Sequence, residues 1–156
     1  MNSHKLFTFL AFYASTFVAA STAAVWDVGG TWYQSLHQPS FTPPSWVFGP
    51  VWTILYLMIA SVAYRIVYAA ETSWKTPALA LWALQIALNT LWTPVFFGAK
   101  NLGVAMIYIG LLWVTICILI WVTLRVDKLS AILLLPYLAW VSFAGVLNFA
   151  FWSLNP

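Results

Sequence analysis

The chain has 156 residues, of which 63% are apolar and 6% charged, and its mean hydropathy is +0.90. A water-soluble domain carries about a quarter charged residues; three acidic and six basic side chains cannot cover one, so composition places the chain in a bilayer. A net charge of +3 without a basic cluster excludes a phosphate-tracking surface and hence nucleic acid as a partner, and the single Cys117 excludes an intrachain disulfide.

Five apolar stretches reach the roughly 20 residues that a helix needs to cross hydrocarbon: 6–26, 45–64, 77–98, 103–124 and 129–152. Period-two alternation, the signature of a membrane barrel, is absent. The expected fold is an all-α integral membrane protein, a five-transmembrane-helix bundle forming one domain over 1–156, with a long first loop over 27–44.

The first stretch also reads as a signal peptide, with Lys5, an apolar run and the small residues Ala20 to Ala24. Its length and the stripe Ala11, Ser15, Ala19 and Ala23 at every fourth position favour a retained helix, because small residues let helix backbones approach closely in lipid. The loop that follows is unusual for a connection. "WYQSLHQPSFTPPSWVFGPVWT", residues 32–53, holds three tryptophans and four prolines but no Lys or Arg. Pro39, Pro43 and Pro44 limit it to a few extended or turn conformations, and Pro44 suits the first turn of the second helix. Such a stiff segment holds Trp32, Tyr33 and Phe41 in place as a lid, or rests as an aromatic belt at headgroup depth.

The later spans decide between lid and belt. On the second, Trp52 and Tyr56 share a face; on the third, Gln85, Asn89, Trp92 and Phe96 do; on the fifth, Tyr137, Trp140, Ala144 and Asn148 do. A belt explains Trp26, Trp46, Trp74 and Trp152 at span ends, but not Trp92, Trp113 or Trp140 towards the middle of theirs. The amides alone could be glue between helices. Together with aromatic faces and a stiff aromatic loop they describe a pocket for a flat, largely apolar ligand. Pro94 and Pro136 fall inside the third and fifth spans and are expected to kink them. Ala80, Ala83 and Ala87 on the third offer a face for dimerisation or for packing within the bundle.

No charged residue sits inside any span, which argues against an ion channel, a proton pump or a charge-coupled transporter. With five spans, Lys5, Arg65, Lys75, Arg125 and Lys128 fall on one side and Lys100 alone on the other. The positive-inside rule then puts the N-terminus in the cytoplasm and the first loop and C-terminus outside. His4 and His37 fall on opposite sides, so no metal constellation is expected, and no acidic pair serves acid–base chemistry.

Three segments carry a resemblance. "WYQSLHQPSFTPPSWVFGPVWTILY", "ALNTLWTPVFFGAKNLG" and "PYLAWVSFAGVLNF" resemble, in order and spacing, the tryptophan-rich sensory protein family, whose mitochondrial members are called translocator protein or peripheral-type benzodiazepine receptor. The resemblance covers about 32–152 and points to a bacterial-type member. It implies a multi-pass protein, often a homodimer, that binds porphyrins such as protoporphyrin IX under the first loop, with porphyrin as ligand and no cofactor required. It further implies ligand contacts from Trp32, Tyr33, Trp52, Tyr56, Asn89, Trp92, Trp140 and Ala144. Receptor, sensor or carrier is the function implied. Light-dependent porphyrin degradation through Trp52 and Trp140 is the enzymatic alternative, and a structural or lipid-binding partner protein the other. Two departures stand out. The family's proline-serine-tryptophan reads Pro39-Ser40-Phe41, removing one indole, and the sterol pattern near the end lacks its tyrosine and basic residue at Leu147-Asn148-Phe149, which leaves sterol binding weak.

Overall fold

The computed structural model describes residues 3–26 and 28–156, without the side chain of residue 23. Ala23 of the small-residue stripe and Asp27 at the start of the expected lid lie outside that description. Helix α1 covers Ser3–Val25, and a one-turn helix α2 covers Thr31–Ser35. A 3-10 turn at Ser45–Val47 leads into α3, Phe48–Tyr68. Helix α4, Lys75–Thr93, runs on into a π-helical turn at Pro94–Gly98, and α5 covers Leu102–Thr123. The short α6, Lys128–Leu133, precedes α7, Leu135–Leu154; no strand occurs among the described residues.

Among the described residues, four stretches are long and apolar enough to cross a membrane: Ser45–Tyr68, Lys75–Gly98, Leu102–Thr123 and Lys128–Leu154. The chain is thus a multi-pass helical protein. The first expected span, 6–26, forms the 23-residue helix α1, whose apolar run contains residue 23, outside the described side chains. Helix α1 carries Thr8, Ser15, Thr16, Ser21 and Thr22, each donating to a carbonyl one turn back. It lies antiparallel to α3: the Tyr13 hydroxyl meets Ser61 at 2.7 Å, and the Tyr68 hydroxyl donates to Thr8 at 3.1 Å.

The core runs along the bundle axis. Ile59, Val62, Ala63 and Ile66 of α3, Ala78 and Trp82 of α4, Ile109, Leu112, Ile116 and Leu119 of α5, and Leu134, Tyr137 and Val141 form one buried cluster. Helix α5 is also apolar outwards, at Ile107, Leu111, Val114 and Ile118. A helix apolar on every side suits lipid on one face and a core on the other.

Both in-span prolines act differently from a simple kink. Pro136 does not lie in a helix interior: the fifth stretch breaks at Leu134, and Pro136 sits in the first turn of α7. A proline cannot bond its backbone nitrogen to the carbonyl four residues back, so the helix stops and restarts there. At Pro94 the ladder widens instead, and the Ala99 amide donates to the Pro94 carbonyl at 2.8 Å, an i to i+5 bond.

One end of the bundle is tied by charge. The Arg65 Nε and Nη2 donate to Asp127 at 2.8 and 3.1 Å, while Asp127 accepts the Ser130 amide at 3.1 Å as the N-cap of α6. The Arg65 guanidinium, helped by Ser130, holds the Asp127 carboxyl down to about 2.

Candidate functional site

At the other end lies a cavity of about 480 Å³, within the range of small-molecule sites. Helix α3 supplies one wall. Phe48, Trp52 and Tyr56 step by four residues and so stack on a single face, and the Trp52 and Tyr56 rings lie 5.3 Å apart at 28°. Helix α4 and its π turn supply Asn89, Trp92, Phe96 and Phe97, and α7 supplies Trp140, Ala144, Asn148 and Phe151. Trp140 stands edge-on to Trp52, with ring centres 6.5 Å apart at 88°. Ala19, Ala20 and Thr22 of α1 close the remaining side, so α1 forms part of the cavity wall.

The floor is a hydrogen-bonded chain of amides and phenols. Tyr56 donates to Asn89 Oδ1 at 2.7 Å, Asn89 Nδ2 donates to the Tyr137 hydroxyl at 3.0 Å, and Tyr137 donates to Gln85 Oε1 at 2.9 Å. Three helices are joined by these bonds, in surroundings where a lone amide would be costly. A second bridge runs from Trp92 Nε1 to Asn148 Oδ1 at 3.1 Å and from Asn148 Nδ2 to the Leu102 carbonyl at 3.0 Å. Two donors differ from these: Gln85 Nε2 at the end of the first chain, and the Trp140 indole N–H, are buried and have no acceptor among the described residues.

The roof is the first loop. Gly29, at φ 81°, reverses the chain after α1, and Gln34 Nε2 returns to the Gly29 carbonyl at 3.0 Å. Helix α2 then lays Tyr33 against Phe96, Phe97 and Phe151, with ring centres 6.5, 5.7 and 5.2 Å away, and burial pushes its phenol above the usual range. Farther along, the Asn155 amide grips the backbone of His37 from both sides: it accepts from the His37 N–H at 2.8 Å and donates to its carbonyl at 3.1 Å. The loop is therefore fastened to the C-terminal end of α7.

Of the eight residues expected from the sequence, Tyr33, Trp52, Tyr56, Asn89, Trp92, Trp140 and Ala144 line this cavity together. Trp32 does not. Its ring packs edge-on to Phe96, 6.0 Å away, with Lys100 Nζ 5.9 Å over it. Trp113, read from the sequence as too deep for a belt, faces outwards, where its indole donates to Ser142 on α7 at 2.8 Å. Sequence reasoning left out Phe48 and Phe151, although continuing the Trp52–Tyr56 and Ala144–Asn148 spacings by one turn reaches both. The α1 contribution carried no such signal, because alanines read only as packing.

The TspO/MBR family model matches residues 7–153. Protein CrtK of Rhodobacter capsulatus is 41% identical over 156 residues, covering 97% of this chain and 95% of that protein. The tryptophan-rich sensory protein of Cereibacter sphaeroides is 37% identical over 147 residues, covering 94% and 90%. The human translocator protein is 37% identical over 129 residues, covering 81% and 76%.

Proposed function

This chain belongs to the TspO/MBR family, and from that premise we propose that it is a membrane sensor or carrier that binds porphyrins such as protoporphyrin IX in the cavity beneath the first loop. The observation carrying this reading is the cavity itself, about 480 Å³, lined by the aromatic rings of Phe48, Trp52, Trp92 and Trp140 and roofed by Tyr33. Aromatic faces suit a planar macrocycle, since offset stacking and apolar burial add without demanding charge. Among the lining side chains, the Trp140 indole N–H is a buried donor with no acceptor among the described residues, and a ring substituent that accepts a hydrogen bond would satisfy it.

In this reading α1 is the fifth crossing, its 23 residues spanning about 35 Å of helix, and Tyr13 and Tyr68 stitch it to α3. The end bearing Lys5, Arg65, Lys75, Arg125 and Lys128 faces the cytoplasm, and the lid and C-terminus face outwards. Ala80, Ala83 and Ala87 are exposed along α4 and supply a homodimer face.

A second reading is favoured by the edge-on Trp52–Trp140 pair: porphyrin degraded in light with these indoles as redox partners. Illumination of the porphyrin-bound protein separates the two. A stable absorption spectrum supports a sensor or carrier, whereas irreversible loss of the porphyrin bands, abolished by Trp52→Phe or Trp140→Phe, establishes an enzyme.

A further inference from the structure

We propose that Arg125, at the end of the bundle remote from the cavity, docks the phosphate of an anionic membrane phospholipid. Its guanidinium carbon lies 4.9 Å from the centre of the Trp74 ring and 4.5 Å from that of Trp121. The two indoles stand perpendicular, at 88° with centres 5.5 Å apart, and so form a corner that the guanidinium fills. Ring contact holds the plane of the group and leaves its N–H edge open.

No carboxylate of the described residues answers that edge. Asp127 is taken by Arg65 and Ser130, and Glu71 by Lys75 at 2.6 Å. The C-terminal dipole of α5 favours a cation at this position but supplies no acceptor for the N–H fork. A phosphodiester does, through two parallel charge-assisted hydrogen bonds. The setting selects a lipid over a free anion: exposed Trp121 and Leu124 flank Arg125, and Leu129 and Ile132 continue the apolar surface along α6. Exposed Lys128 adds a second positive charge, which favours an anionic headgroup over a zwitterionic one.

Native mass spectrometry of the protein in neutral detergent, titrated with dioleoyl phosphatidylglycerol, dioleoyl phosphatidylcholine and inorganic phosphate, tests this. The expected result is saturable phosphatidylglycerol binding at least fivefold tighter than phosphatidylcholine. Arg125→Ala weakens it roughly five- to tenfold and Trp121→Leu about threefold, while Lys100→Ala at the opposite end leaves it unchanged. Equal binding of the two lipids overturns the proposal, as does unchanged affinity in Arg125→Ala. Displacement of the lipid by an equal concentration of inorganic phosphate assigns the corner to free anions and overturns it too. Should Arg125→Ala fail to fold, Arg125→Lys and Trp121→Leu decide, and wild-type affinity in both rejects the lipid.

Discussion

At the scale of single residues, Asn89 shows how a polar side chain can line a cavity without being available to a ligand. Both ends of its amide are engaged, by Tyr56 and by Tyr137. Replacing it with leucine leaves the Tyr56 hydroxyl without its acceptor and costs about 1–3 kcal/mol, to be read as a lower thermal midpoint in detergent. Gly98 is constrained in a different way. A Cβ there would come 2.5 Å from the Trp26 ring, so Gly98→Ala should destabilise by about 1–3 kcal/mol. Trp26→Ala in the same chain should recover most of that loss; a destabilisation independent of Trp26 would place its cause elsewhere. The sequence made Trp52, Tyr56, Trp92, Trp140 and Ala144 legible as neighbours around one cavity because helical spacing alone aligns them. It offered no such guide for Trp32, which packs on Phe96 instead, since a loop has no period from which to read which way a ring turns.

Among the elements, the first loop and the α6–α7 break carry the most consequence. The loop is a roof fastened at both ends, by aromatic contacts at Tyr33 and by the Asn155 amide on His37. Asn155→Ala removes the second fastening. Amide exchange over 31–42 should speed up by an order of magnitude or so, and bound porphyrin should leave faster, with little change in the midpoint of the bundle. Unchanged exchange would mean that the aromatic contacts hold the roof unaided. Asp127 joins α3 to the start of α6 through Arg65. Because its carboxyl is held down to about 2 from 3.8, the contribution is complete above the unfolded value and is lost as pH falls from about 4 towards 2. Asp127→Asn should therefore lower the midpoint at pH 7, with the gap to wild type closing in strong acid. The length and apolarity of the helices were plain in the sequence. The break at Leu134 was not, because a proline after an apolar run reads equally as a kink within one helix and as the start of another.

The whole molecule divides into two ends with different chemistry. The basic end is held by Arg65–Asp127 and Lys75–Glu71 and carries Arg125 on its tryptophan corner. The other end opens into the aromatic cavity and is closed by the loop. The bundle between is apolar inwards and outwards, so charge is confined to where water and headgroups meet it. Composition together with the positions of the charges disclosed this layout, since nine charged residues in 156 fall outside the apolar stretches and five of the six basic ones on one side. What composition could not disclose was the part of α1 in the cavity wall, because Ala19 and Ala20 acquire that role only from the helix they pack against.

The central claim, a porphyrin site beneath the loop, is tested most directly by titrating the detergent-purified protein with protoporphyrin IX in darkness while following tryptophan fluorescence. A site beneath the loop gives saturable quenching in the wild type and an affinity at least tenfold weaker in Trp140→Ala, with the helical content of that variant unchanged. Quenching that never saturates, or a Trp140→Ala variant that binds as the wild type does, would contradict it.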